Sequence, residues 1–146
     1  MTIAIASDHG GFELKEQLKA YYAKQGIILA DLGTHSSDSC DYPDIAQAIC
    51  AKILAGEVKT GILICGTGIG ISIAANRYKG IRAAILYSDE VAQLAKLHNN
   101  ANIAVFGGRT MTFDEAARRM DIFLKTEFEG GRHERRVNKL DVEEGC

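Results

Sequence analysis

The chain has a single proline, Pro43, in 146 residues. No proline-rich linker, low-complexity segment or internal repeat divides it. Cysteine is sparse and unpatterned. Cys40, Cys50, Cys65 and Cys146 contain no C-x-x-C pair, and no Cys/His group has zinc-ligand spacing. That usage fits a reduced cytoplasmic setting. Neither charge sign dominates. At a net charge of −2, no overall field favours nucleic acid or an anionic membrane. No apolar stretch approaches the ~20 residues of a membrane span. The opening MTIAIASDHGG has no basic leader, so no signal peptide is expected. What remains is 47% hydrophobic and 25% charged, a soluble composition. The length suits one domain over 1–146 with a substantial core.

Strand and helix patterns alternate along the chain. TIAIAS (2–7) reads as a buried strand, and FELKEQLKAYYAKQ follows with Leu14, Leu18 and Tyr21 at helical spacing. GIILADLG (26–33) is a second strand. After a polar loop, Pro43 suits a first helical turn, and Ile45, Ile49 and Ile53 mark a stripe. Cys50 falls on an apolar helix face beside Ala46 and Leu54 and reads as a small buried hydrophobe. GILIC and IGISIAANRY are the third pair. IRAAIL (81–86) and SDEVAQLAKLHN are the fourth, with acids in the first helical turn. NIAVFGG (102–108) and TFDEAARRMDIFLKTEF are the fifth. Thr112 and Glu115 have capping-box spacing there, and Phe113, Ala116, Ala117, Met120, Phe123 and Leu124 share a face. Five β-α pairs predict a single doubly wound, Rossmann-like α/β domain. It has a five-stranded parallel sheet, helices on both faces and a basic C-terminal tail. Ligands of such folds bind beyond the carboxyl ends of the strands. Here those ends read SDHGG, DLGTH, CGTGIG, LYSDE and FGGRT.

The third of these ends, GILICGTGIGIS (61–72), admits three readings. A dinucleotide fingerprint needs G-x-G-x-x-G after the first strand, and a phosphate loop needs a lysine; neither is present. A packing corner would use the glycines for close approach but leaves Cys65 unexplained. A catalytic cradle explains both features. Successive amides of Gly66, Gly68 and Gly70 at a helix start would hold an oxyanion, and a thiol there is activated toward thiolate.

Other strand ends supply partners, each with a plainer alternative. Asp8 could cap a helix with His9 a bystander. His98 continues the stripe Val91, Leu94, Ala95, so it points inward near a strand tip or is a satisfied core histidine. Arg109 follows the fifth strand. Arg132 and Arg136 are four apart, on one face of a helical tail. They are solvated charges or a guanidinium clamp for phosphate. Together these groups form a set that a sugar-phosphate enzyme requires.

The segments IASDHGGFELK, DYPDIA, GILICGTGIGISIAANRYKGIRAA, HNNANIAVFGGR and GGRHERRV occur in this order. Nearly the whole chain thereby resembles the type B ribose-5-phosphate isomerases. The wider family includes galactose-6-phosphate isomerase subunits and allose-6-phosphate isomerase. The resemblance implies interconversion of an aldose and a ketose phosphate with no metal or organic cofactor. It casts Cys65 as the base between C1 and C2 and the Gly66–Gly70 amides as the enediolate hole. His98, with Thr67, becomes the ring-opening pair. Asp8, Tyr42 and Asn99 match contacts to sugar hydroxyls, and His9, Arg109, Arg132 and Arg136 match phosphate ligands. Another branch places a glutamate directly after the loop's last glycine. Ile71 stands there and cannot take a proton, so the cysteine branch applies. The family also implies homodimers that pair into tetramers, with sites at the subunit interface and the tail, 130–146, reaching a neighbour. Six-carbon sugar phosphates, or a non-catalytic nucleotide- or sugar-phosphate-binding module, are the competing expectations.

Overall fold

The computed structural model describes residues 2–142; Met1 and 143–146, with Cys146, lie outside the described residues. The strands are β1 (Ile3–Ser7), β2 (Ala30–Asp31), β3 (Thr60–Cys65), β4 (Ala83–Ile85) and β5 (Ile103–Gly107). The helices are α1 (Phe12–Ala23), α2 (Tyr42–Leu54), α3 (Ile69–Ala75), α4 (Asp89–Leu97), α5 (Phe113–Lys125) and α6 (Arg132–Val137), with a 3-10 turn at His9–Gly11. All four strand pairings are parallel, in the order β2-β1-β3-β5-β4.

That order dictates where the helices lie. The steps β1→β2 and β4→β5 run one way across the sheet; β2→β3 and β3→β4 run the other. Right-handed crossovers then put α1 and α4 on one face and α2 and α3 on the opposite one. The two cores agree. Leu14, Leu18 and Tyr22 of α1 join Ala92 and Ala95 of α4 and Met120 and Phe123 of α5 over Ile5, Ile62 and Ile64. Ala46, Ile49 and Cys50 of α2 meet Ile71 and Ala75 of α3 over Ala4, Ala6, Leu63 and Cys65. Successive strand residues alternate between these cores, as the two-residue period requires. At Gly61 a β-carbon would stand 2.6 Å from Ile49, so α2 lies directly on β3. The chain's direction across the sheet reverses between β1 and β3, which opens a crevice at their carboxyl ends.

Local signals behave as expected at several ends. Pro43 sits in the first turn of α2. The Thr112 hydroxyl accepts from the Glu115 amide and the Glu115 carboxylate accepts from the Thr112 amide, closing the capping box of α5. The second strand is shorter than 26–33. Only Ala30 and Asp31 join the ladder, because β2 is an edge strand that contacts β1 alone. Further backbone bonds, Ser7 to Gly33 and Thr34 to Ser7, extend its contact without regular pairing. Leu54 does not share the burial of Cys50; it is half exposed at the end of α2. Among the described residues no helix is long and apolar enough to cross a membrane.

Candidate active site

The carboxyl edge brings three glycine turns into contact. The Gly108 amide donates to the Cys65 carbonyl at 2.8 Å, and the Arg109 amide to the Gly66 carbonyl at 2.9 Å. A β-carbon on Gly108 would run into the Gly10 carbonyl, and one on Gly10 would lie 3.0 Å from the Gly66 nitrogen. The turns after β1, β3 and β5 therefore interlock through bare backbone.

Cys65 ends β3 on the α2/α3 face and is buried. Gly68 adopts φ +83°, a conformation that glycine enters without steric cost. Its amide thereby turns back and donates to Cys65 Sγ at 3.1 Å. Among the described residues no acceptor takes the amides of Gly66 and Thr67. The Thr67 hydroxyl accepts from the Ile69 amide at 3.2 Å. Since α3 has only seven residues, it is the Gly68 amide, not a long helix dipole, that meets the thiol.

Partners approach from both sides. The Asp8 carboxylate is buried and accepts from the Gly10 amide at 2.9 Å, so the capping role is real. His9 Nδ1 accepts from the Cys40 amide at 3.2 Å. The neutral ring therefore carries its proton on Nε2, as a donor. The Tyr42 ring lies on Gly70, where a β-carbon would stand 2.7 Å from it. The Arg109 guanidinium hangs over Gly66, 3.1 Å from a β-carbon built there. Asp8, His9, Cys40 and Tyr42 line a cavity of ≈480 Å³.

His98, Asn99, Arg132 and Arg136 are not in this group. α4 leaves the carboxyl edge and returns to the amino edge, as every crossover of a parallel sheet must, so its C-cap His98 lies at the far end. His98 does not point into the core; its side chain is 35% exposed. It lines a cavity of ≈250 Å³ with Asn99, His133 and Arg136. A strand of five or six residues spans about 17–20 Å, too far for one sugar phosphate to bridge within the chain. The candidate residues thus fall into two groups at opposite edges. Among the described residues no carboxylate lies within salt-bridge distance of Arg109, Arg132 or Arg136.

Glu129 and His133, which the sequence does not single out, lie beside His98. The tail reads as too polar for a core, yet His133 is buried. Its ring stacks on His98, with centroids 4.1 Å apart and planes at 9°. The only sequence signal is the Glu129–His133 spacing of four, E-G-G-R-H, leading into the basic stretch that follows.

Fold and edge together define a doubly wound α/β protein with a thiol and an array of amides at its switch point. Residues 3–140 match the family model described as Ribose/Galactose Isomerase, and the chain belongs to that family. It is 44% identical to ribose-5-phosphate isomerase B of Escherichia coli (strain K12), over 94% of this chain and 93% of that one. The crystal structure of a ribose 5-phosphate isomerase from Thermotoga maritima superposes with TM-score 0.94 at 54% identity, covering 96% of this chain and 97% of that one. The Mycoplasma genitalium ribose-5-phosphate isomerase B, solved with bound ribulose-5-phosphate, gives TM-score 0.90 at 42% identity, over 95% and 93% of the two chains.

Proposed function

We propose that the chain is an aldose–ketose isomerase that interconverts ribose 5-phosphate and ribulose 5-phosphate through an enediolate. The observation that carries this reading is the Gly68 amide aimed at Cys65 Sγ at 3.1 Å, inside a turn whose neighbouring amides are open. An amide donor at this distance stabilises negative charge on sulfur. Cys65 takes the proton from C2 of the open-chain aldose and returns it to C1, while the hydroxyl proton moves from O2 to O1. In between, the charge rests on oxygen facing the Gly66–Gly70 amides. Preorganised donors of this kind are the largest catalytic contribution in many enzymes. Tyr42, Asp8 and Asn99 hold sugar hydroxyls; His9, Arg109, Arg132 and Arg136 hold the phosphate. His98, with Thr67, opens the furanose.

The half-sites meet when two copies associate, so that the amino edge of one subunit faces the carboxyl edge of the other. The tail from 130 onward, with α6, then serves its neighbour's site. Ile69 and Ile73, one turn apart on α3 and 55% and 54% exposed, supply apolar surface beside the glycine turn for such a contact. Pairing of dimers into tetramers follows the family expectation. The enzyme works in the cytoplasm, in pentose phosphate metabolism, where Cys65 stays a free thiol.

Ribulose 5-phosphate formation from ribose 5-phosphate, with chelator present, tests the activity. Allose 6-phosphate and galactose 6-phosphate in parallel test the sugar length. Cys65→Ala is expected to abolish deuterium exchange from solvent into C2 while substrate affinity stays nearly intact, because the thiol acts on a C–H bond. Wild-type turnover in that variant would return the turn to a packing corner.

A further inference from the structure

Two side chains at the amino edge have no part in the reaction so far, yet both converge on His98. The Glu129 amide donates to the Leu97 carbonyl at 3.0 Å, which fastens Glu129 to the end of α4 next to His98. Its Oε2 stands 3.6 Å from Nε2 of His98 and 3.6 Å from Nε2 of His133. The two rings are stacked. We infer that Glu129 and His133 are positioning residues, which fix the plane and the proton-bearing nitrogen of the His98 imidazole for ring opening. This rests on the role given to His98 above.

At 3.6 Å Glu129 lies beyond direct hydrogen-bond reach of either imidazole, but its negative charge favours the His98 tautomer that carries its proton on Nε2, the nitrogen facing it. His98 then keeps its lone pair on Nδ1, free to exchange a proton with the sugar. His133 supplies the platform. Its Nε2 is buried and lacks a hydrogen-bond partner among the described residues, so its own bonding does not explain its place. Burial, with the His98, Arg132 and Arg136 charges, outweighs Glu129 and pushes the His133 imidazole below its ordinary range. That direction favours the neutral form of the platform. Two stacked imidazoliums would repel, so a platform disfavoured from taking a proton suits a neighbour that exchanges one.

A metal site is the competing reading, since the three ligand atoms lie within 4.8 Å of one another. Parallel rings, however, aim their lone pairs along parallel lines that do not meet at one ion. Arg132 and Arg136 add positive charge nearby.

The test is a double-mutant cycle with Glu129→Gln, His133→Ala and His133→Phe, each alone and with His98→Asn. Alone, Glu129→Gln and His133→Ala are expected to lower kcat on ribose 5-phosphate about tenfold, and less on ribulose 5-phosphate, with KM little changed. His133→Phe, which keeps a flat ring, recovers most of the loss. Combined with His98→Asn, none of them has further effect. Equal losses in both backgrounds, or no recovery by His133→Phe, overturn the inference. A readout independent of turnover separates it from the role of His98. His98 ring protons lie over His133 and resonate upfield, and Glu129→Gln is expected to move them back. Unmoved resonances overturn positioning. Moved resonances beside a fully active His98→Asn uphold positioning and refute ring opening.

Discussion

Cys50 and Cys65 are the same residue in opposite circumstances. Cys50 lies within α2 among apolar neighbours, and burial pushes its thiol up to about 11. It stays protonated at neutral pH and behaves as a small hydrophobe. Cys65 ends a strand where the chain turns an amide onto its sulfur. Residue type therefore says little; the three positions that follow decide. The same holds for His98. A residue that opens the furanose matters for the cyclic aldose and less for ribulose 5-phosphate, whose phosphate blocks the corresponding ring closure. His98→Asn is expected to reduce kcat on ribose 5-phosphate more than on ribulose 5-phosphate at saturation. Equal losses in the two directions would make it a structural histidine.

At the scale of elements, β2 is too short to hold its edge by ladder bonds alone. A charge cluster helps to hold it. Fully buried Lys15 of α1 donates to Asp31 of β2 at 2.6 and 2.8 Å, and Lys19 donates at 2.7 Å. Burial alone would raise the Asp31 pKa, but hydrogen bonds from Lys15, Lys19 and the Gly33 amide bring it from 3.8 down to about 2. A depressed carboxylate stabilises the fold above its unfolded value, and that stabilisation fades as pH falls toward the folded one. The gap corresponds to about 2 kcal/mol at ~1.36 kcal/mol per unit. About 1 kcal/mol of it should vanish between pH 4.5 and 3. Asp31→Asn should lack that part of the acid sensitivity. It should also be weaker at pH 7 by up to ~3–5 kcal/mol, since it leaves buried Lys15 with Glu16, at 3.3 Å, as its remaining carboxylate. Urea midpoints of both proteins at pH 7, 4.5 and 3 check this; parallel declines would remove Asp31 from the account.

At the scale of the whole molecule, the arrangement of half-sites makes a stoichiometric prediction. A dimer of Cys65→Ala with His98→Asn places both defects in one site and leaves the other intact. Equal mixing of the two inactive variants by co-refolding yields heterodimers as half of all dimers, so activity should return to about a quarter of wild type. No recovery, with mixed dimers verified by tagging each variant, would mean that Cys65 and His98 do not meet across the interface.

Much of this was legible in order along the chain. The β-α alternation, the capping box of α5, the inert Cys50, the turn after Cys65 and the placement of Arg132 and Arg136 four apart on α6 follow from spacing and residue chemistry, which act over a few residues. Family membership is likewise carried by the five motifs. Which groups share a site was not legible, because all strand ends of a parallel sheet meet at the carboxyl edge while helix ends such as His98 return to the amino edge. His98 and Arg136 therefore came to lie a strand's length from Cys65. Burial of His133 beneath His98 was also hidden, since the two are 35 positions apart in sequence and meet only when α5 returns the tail to the amino edge. Sequence determines the groups and their local geometry through short-range sterics and hydrogen bonds. Tertiary structure decides their company, because only the packed sheet sets which distant segments share an edge.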